Sequence, residues 1–80
     1  MKKNYNDIYS KVAENIKKIR KQRGLTQQQF SELIGYSMSY ITKIEAPKCE
    51  KKFSLDLLYL IADKLEIEMK ELFDFSNLKE

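Results

Sequence analysis

Residues 24–46 read GLTQQQFSELIGYSMSYITKIEA, and the fold is decided there. Thr26 followed three residues later by Gln29 fits a capping box, in which the hydroxyl accepts from the backbone and the amide reaches back. Phe30, Leu33 and Ile34 supply an inward stripe, and Gly35 ends this helix after about two turns. Ser37 is a second N-cap, opening a helix through about Glu45 with Ile41 and Ile44 inward. At about 100° per residue, Ser39, Thr42 and Lys43 point away from the core, flanked by Met38 and Tyr40. Counting Gln27 as the first position, apolar residues stand fourth, eighth, tenth, fifteenth and eighteenth: Phe30, Ile34, Tyr36, Ile41 and Ile44. Ser31 is small where two helices must approach, and Gly35 takes the turn between them. This is the pattern of a tight helix–turn–helix.

Working outward, Ile8, Val12, Ile16 and Ile19 recur at spacings of four, four and three, predicting a helix from about Asn6 to Arg23. Gly24 supplies its C-terminal stop. Downstream, APKCEKKF (46–53) is a loop because Pro47 forbids easy continuation. Ser54 caps a fourth helix to about Leu65, with Leu55, Leu58, Ile61, Ala62 and Leu65 on its apolar side. Ile67 leads into a last short helix near Met69–Phe73. Five helices and no convincing strand predict an all-α chain, a single domain over 1–80 with its core in 12–73.

Composition narrows the chemistry. Hydrophobic residues at 42% and charged residues at 34% describe a globular chain, and no apolar run approaches the ~20 residues of a membrane span. A soluble, cytoplasmic protein is expected. With no His, histidine acid–base catalysis and Ser–His or Cys–His pairs are excluded. The single Cys49 makes neither an internal disulfide nor a cysteine-rich zinc site, and two glycines build no phosphate-cradling loop. No cofactor, metal or small-molecule ligand is implied, and the chain reads as a binder rather than an enzyme. The net charge of +3 hides a split: residues 1–54 carry +7 and residues 55–80 carry −4. A basic part set apart from an acidic part suits a polyanion on one side, although solvated lysine-rich helices would give the same count.

Ile16-Lys-Lys-Ile-Arg20, Gly24-Leu-Thr-Gln27, Phe30, Ile34-Gly35 and Ile41-Thr-Lys-Ile-Glu45 together resemble the Xre/Cro-type helix–turn–helix pattern, which Leu58, Ala62, Leu65 and Leu72-Phe73 continue. The resemblance covers about residues 12–73 and implies a compact five-helix, lambda-repressor-like domain that regulates transcription. It implies a homodimer on a palindromic operator in double-stranded DNA, similar to phage repressors and restriction–modification controller proteins. Gln27 then corresponds to a phosphate-contacting residue. Met38, Ser39, Thr42 and Lys43 correspond to readers on the recognition helix, 37–45. Lys43 suits guanine O6/N7, Ser39 and Thr42 suit several bases, and Met38 suits a thymine methyl. Ser37 and Tyr40 reach phosphates, and Lys48, with Lys51 and Lys52, adds backbone contacts. Arg20 and Glu45 resemble a structural ion pair joining the first helix to the recognition helix. The chain departs from the pattern at Ala46-Pro47, at Ser31 for the usual alanine, at Glu66 for a helix-ending glycine, and at Met38 for a frequent arginine.

The tail is dense in apolar residues. Met69, Leu72, Phe73 and Phe75, where left outside the core, make a patch suited to an isologous dimer. The competing expectation is that they only close the core. An alternative function follows from the same tail: an antitoxin or adaptor that binds chiefly a partner protein and DNA secondarily.

Overall fold

Three hydroxyls start three of the helices. In the computed structural model, which describes residues 5–46 and 53–76 with side chains from residue 8 onward, Thr26 Oγ1 accepts from Gln29 N at 3.0 Å. Ser37 Oγ accepts from Tyr40 N and Ser54 Oγ from Leu57 N, both at 3.1 Å. Each such cap satisfies a backbone donor that the helix cannot, and is worth about 1 kcal/mol. At Thr26 the capping box closes, because Gln29 Oε1 accepts from Thr26 N at 2.9 Å. The elements are α1 (Tyr5–Gln22), α2 (Gln27–Ile34), α3 (Met38–Ile44), α4 (Leu55–Leu65) and α5 (Met69–Leu72), and no strand occurs among the described residues.

The turns follow from three left-handed residues, Gly24, Gly35 and Glu66. Gly35 has φ 77°, and both its N–H and that of Tyr36 donate to Ser31 O, at 2.9 and 3.1 Å. This closes α2 and redirects the chain into α3 within three residues. Glu66 ends α4 in the same conformation at φ 60°, with the Ile67 N–H on Ala62 O at 3.0 Å. Glutamate has the Cβ that glycine lacks, so this turn carries strain.

The core gathers Val12, Ala13 and Ile16 of α1, Phe30 and Ile34 of α2, Ile41 and Ile44 of α3, and Leu57, Leu58, Ile61, Ala62 and Leu65 of α4 around Leu72 of α5. Several expected positions differ. Ile8, Leu33, Tyr36 and Leu55 are exposed, and Leu57 is buried in place of Leu55. At about 100° per residue Leu57 stands at one edge of the buried arc formed with Ile61, Leu65, Leu58 and Ala62, while Leu55 and Tyr59 lie just past its opposite edge. Leu55 is 71% exposed and Tyr59 66%. Among the tail residues expected at a dimer seam, Leu72 is corrected outright: at 0% exposure it closes the core and has no surface to offer a partner. Met69 and Phe75 pack partly against the core, and only Phe73 is exposed.

Asn15, buried on α1, was not singled out by its sequence. Its amide donates to Leu72 O and Asp74 O, both at 3.0 Å, and ties the end of α5 to the first helix. Lys11 Nζ lies 5.6 Å over the Phe75 ring. The Ser76 hydroxyl and then its N–H donate to the Asp74 carboxylate, holding it below the ordinary aspartate value, with a further contribution from Lys18.

Candidate nucleic-acid interface

α3 is short, amphipathic and held from both sides. Ile41 and Ile44 anchor it, while Ser37, Met38, Ser39, Thr42 and Lys43 are exposed and Tyr40 is half-buried. The outward face therefore carries a hydroxyl, a thioether, two more hydroxyls and an ammonium. Thr42 Oγ1 donates to Ser39 O at 2.9 Å, so Thr42 presents lone pairs and a methyl group rather than a donor. Ser37 Oγ accepts from the Tyr40 N–H and keeps its hydroxyl proton for another partner. Lys43 makes no ion pair among the described residues.

What holds α3 in place is a buried charged network. Arg20 grips Glu45 with two parallel bonds, Nε to Oε2 at 2.7 Å and Nη2 to Oε1 at 2.9 Å. Its third nitrogen, Nη1, donates to Leu25 O at 2.6 Å. The guanidinium fork matches the carboxylate geometrically, which sets direction as well as distance. Glu45 is the C-cap of α3, and Arg20 sits near the end of α1. The network thus joins α1, the α1–α2 loop and the end of α3.

The expected Arg20–Glu45 pair is present, and it has a third member. Gln27 Nε2 donates to Glu45 Oε1 at 3.0 Å, so the first residue of α2 is oriented by the last residue of the reading helix. Sequence spacing gave no sign of this bond, which links residues 18 apart. One N–H of the Gln27 amide is committed inward and the other is not. Lys48, with Lys51 and Lys52, lies outside the described residues.

Two helices joined across a glycine turn, the second showing a polar face and locked from behind by a bidentate ion pair, define a helix–turn–helix DNA-binding regulator. The chain belongs to the helix-turn-helix (HTH_3) family, whose pattern matches residues 16–72. It is similar to control protein C.SmaI of Serratia marcescens, 30% identical over 73 residues that cover 91% of this chain and 84% of that one. In fold it is similar to the restriction–modification controller protein C.AhdI of Aeromonas hydrophila, with TM-score 0.74 and 30% identity, covering 86% of this chain and all of the other. A Vibrio cholerae HTH_3 family transcriptional regulator superposes at TM-score 0.77 with 28% identity, over 88% of this chain and 38% of that one.

No described helix is long and apolar enough to cross a membrane. Among the described residues no group of acidic and cysteine side chains is placed to hold a metal ion. A groove of about 230 Å³ opens between Ile8, Tyr9 and Val12 of α1, Phe53 ahead of α4, Leu55 and Leu58 of α4, and Phe73, and draws no residue from α2 or α3.

Proposed function

We propose that this protein is a transcriptional regulator of the restriction–modification controller type, acting on DNA inside the cell as a homodimer on a two-fold symmetric operator. The observation that carries the reading is the outward face of α3, polar and fixed by the Arg20–Glu45 bonds. The control proteins among its relatives supply the physiological setting. In this reading α3 enters the major groove. Lys43 donates to guanine, Ser39 bonds to base edges, Thr42 accepts and touches a thymine methyl, and Met38 covers a second methyl. Ser37, Tyr40 and the uncommitted N–H of Gln27 hold phosphates and set the register. Lys48 is proposed as a further backbone contact on charge alone.

A single reading helix spans only a few base pairs, and a second copy doubles the site. Two heads on one DNA face require half-sites about 34 Å apart. The seam is assigned to Phe73, joined by Leu55 and Tyr59, with Met69 and Phe75 at its margin. Leu55, Phe73 and Ile8 line the same groove. The acidic tail would then lie at the seam and not against the phosphates.

Footprinting and titration on the DNA upstream of its own gene, with light scattering of the free protein, test the reading. The expected result is a dimer that protects two symmetric half-sites, with affinity falling steeply as salt rises because each phosphate contact releases counterions. Absent or salt-independent binding would overturn it. A monomer that binds DNA only weakly would favour the protein-partner alternative, since Leu55 and Tyr59 would remain uncovered.

A further inference from the structure

Tyr36 stands in the turn between Gly35 and Ser37, where an inward apolar side chain is expected. It is instead 39% exposed, and its ring lies beside that of Tyr40, with centroids 5.0 Å apart and planes 33° from parallel. Its hydroxyl makes no hydrogen bond among the described residues. Tyr40 and Lys43, three apart on α3, share one edge of that helix. By stacking on Tyr40, Tyr36 prolongs the edge beyond the start of α3, giving a row of two phenols and an ammonium. The Tyr36 hydroxyl, at the outer end of that row, is a donor at its tip. Each ring also limits the freedom of the other, so less side-chain entropy is lost when the row meets a partner. A phenol donor just beyond the start of a major-groove reading helix is complementary to a phosphate of the flanking DNA strand.

We propose that Tyr36 is a DNA-contacting residue, its hydroxyl donating to a phosphate oxygen at the edge of each half-site. This rests on the DNA-binding reading above, and it adds a contact made outside the recognition helix. A phosphate contact from a phenol carries no sequence information and releases no counterion. Those two properties give it a signature different from that of Lys43.

The test titrates the parent protein, Tyr36→Phe, Tyr36→Leu and Lys43→Ala onto the upstream fragment and onto fragments with altered sequence, at about 50 and about 200 mM salt. Tyr36→Phe keeps the ring and the stack, so a thermal melt matching the parent establishes that its fold is intact. The expected result is an affinity loss of about five- to tenfold for Tyr36→Phe, similar across sequences and with an unchanged salt slope. Lys43→Ala is expected to weaken binding by about tenfold or more on the upstream fragment and to relax the preference for the guanine it reads. Parent binding that is weakened by Lys43→Ala but unaltered by Tyr36→Phe overturns the proposal and leaves the DNA-binding reading standing. So does a loss confined to Tyr36→Leu, which would make Tyr36 only a prop for Tyr40. A parent that binds none of the fragments defeats both.

Discussion

Asn15 and Arg20, five residues apart on α1, anchor two different parts of the molecule by two different chemistries. Arg20 holds the reading head through a buried charged pair that shares its carboxylate with Gln27. Asn15 holds the tail through a neutral amide on two backbone carbonyls. The turns differ in the same sense: Gly35 takes the left-handed conformation in the head without strain, and Glu66 takes it in the tail with strain. The head is directional and relaxed, as a surface that must match base edges requires. The tail is fastened more simply, and its neighbourhood leaves Leu55, Tyr59 and Phe73 in solvent.

Breaking the head anchor should have the largest effect. Arg20→Met leaves Glu45 buried with only Gln27 to partner it, and should cost about 3 kcal/mol or more. Thermal unfolding measures this, and a melt within two or so degrees of the parent would show that the charged pair does not hold the fold. The double change Arg20→Met with Glu45→Leu should regain most of the stability, because no charge is then stranded. Its affinity for DNA should stay reduced, because Gln27 and the end of α3 have lost the group that orients them. Full recovery of both properties would reduce the network to a stability device.

Breaking the tail anchor should cost less and remain local. Asn15→Leu removes two hydrogen bonds and strands the buried Leu72 carbonyl, for about 2 kcal/mol. Hydrogen exchange should show lost protection in α5 with α2 and α3 little changed. Equal loss across all helices would mean that the two regions are one cooperative unit, and the contrast between them would dissolve.

Relieving the strained turn is the smallest effect, and it has the opposite sign. Glu66→Gly should stabilise by about 0.5–1 kcal/mol and raise the melting temperature by about 4 °C. The Arg23–Glu66 side-chain pair it removes is solvated and 4.0 Å apart, and is worth little. The Arg23 bond to the Glu66 carbonyl, 3.3 Å, involves only backbone at position 66 and survives. Unchanged or lowered stability would locate the strain elsewhere.

Much of the head was legible beforehand. Thr26, Gln29, Ser37 and Gly35 act within four residues along the chain, so their bonds can be read from spacing. The Arg20–Glu45 pair was legible through family resemblance rather than spacing, because its partners are 25 residues apart. Gln27 was assigned to phosphate without its bond to Glu45, and Asn15 was passed over although an asparagine beside Val12, Ala13 and Ile16 is a polar residue on a buried stripe. Tyr36 fitted an apolar register that its ring does not follow. Leu55 and Leu57 were exchanged because both lie near the margin of one helical arc, where periodicity discriminates poorly.

By itself, then, the sequence determined five helices, their caps and the glycine turn between α2 and α3, since these depend on backbone donors and acceptors satisfied by close neighbours. It also determined that α3 would turn a polar face outward, because Ile41 and Ile44 leave no other arrangement. Only the tertiary structure decided that Leu72 is core and Leu55 is surface, that Asn15 clasps the tail, and that Gln27 is coupled to Glu45. Those outcomes depend on which helix arrives opposite each side chain, and helices distant in sequence meet through the summed packing of the whole core rather than through any local pattern.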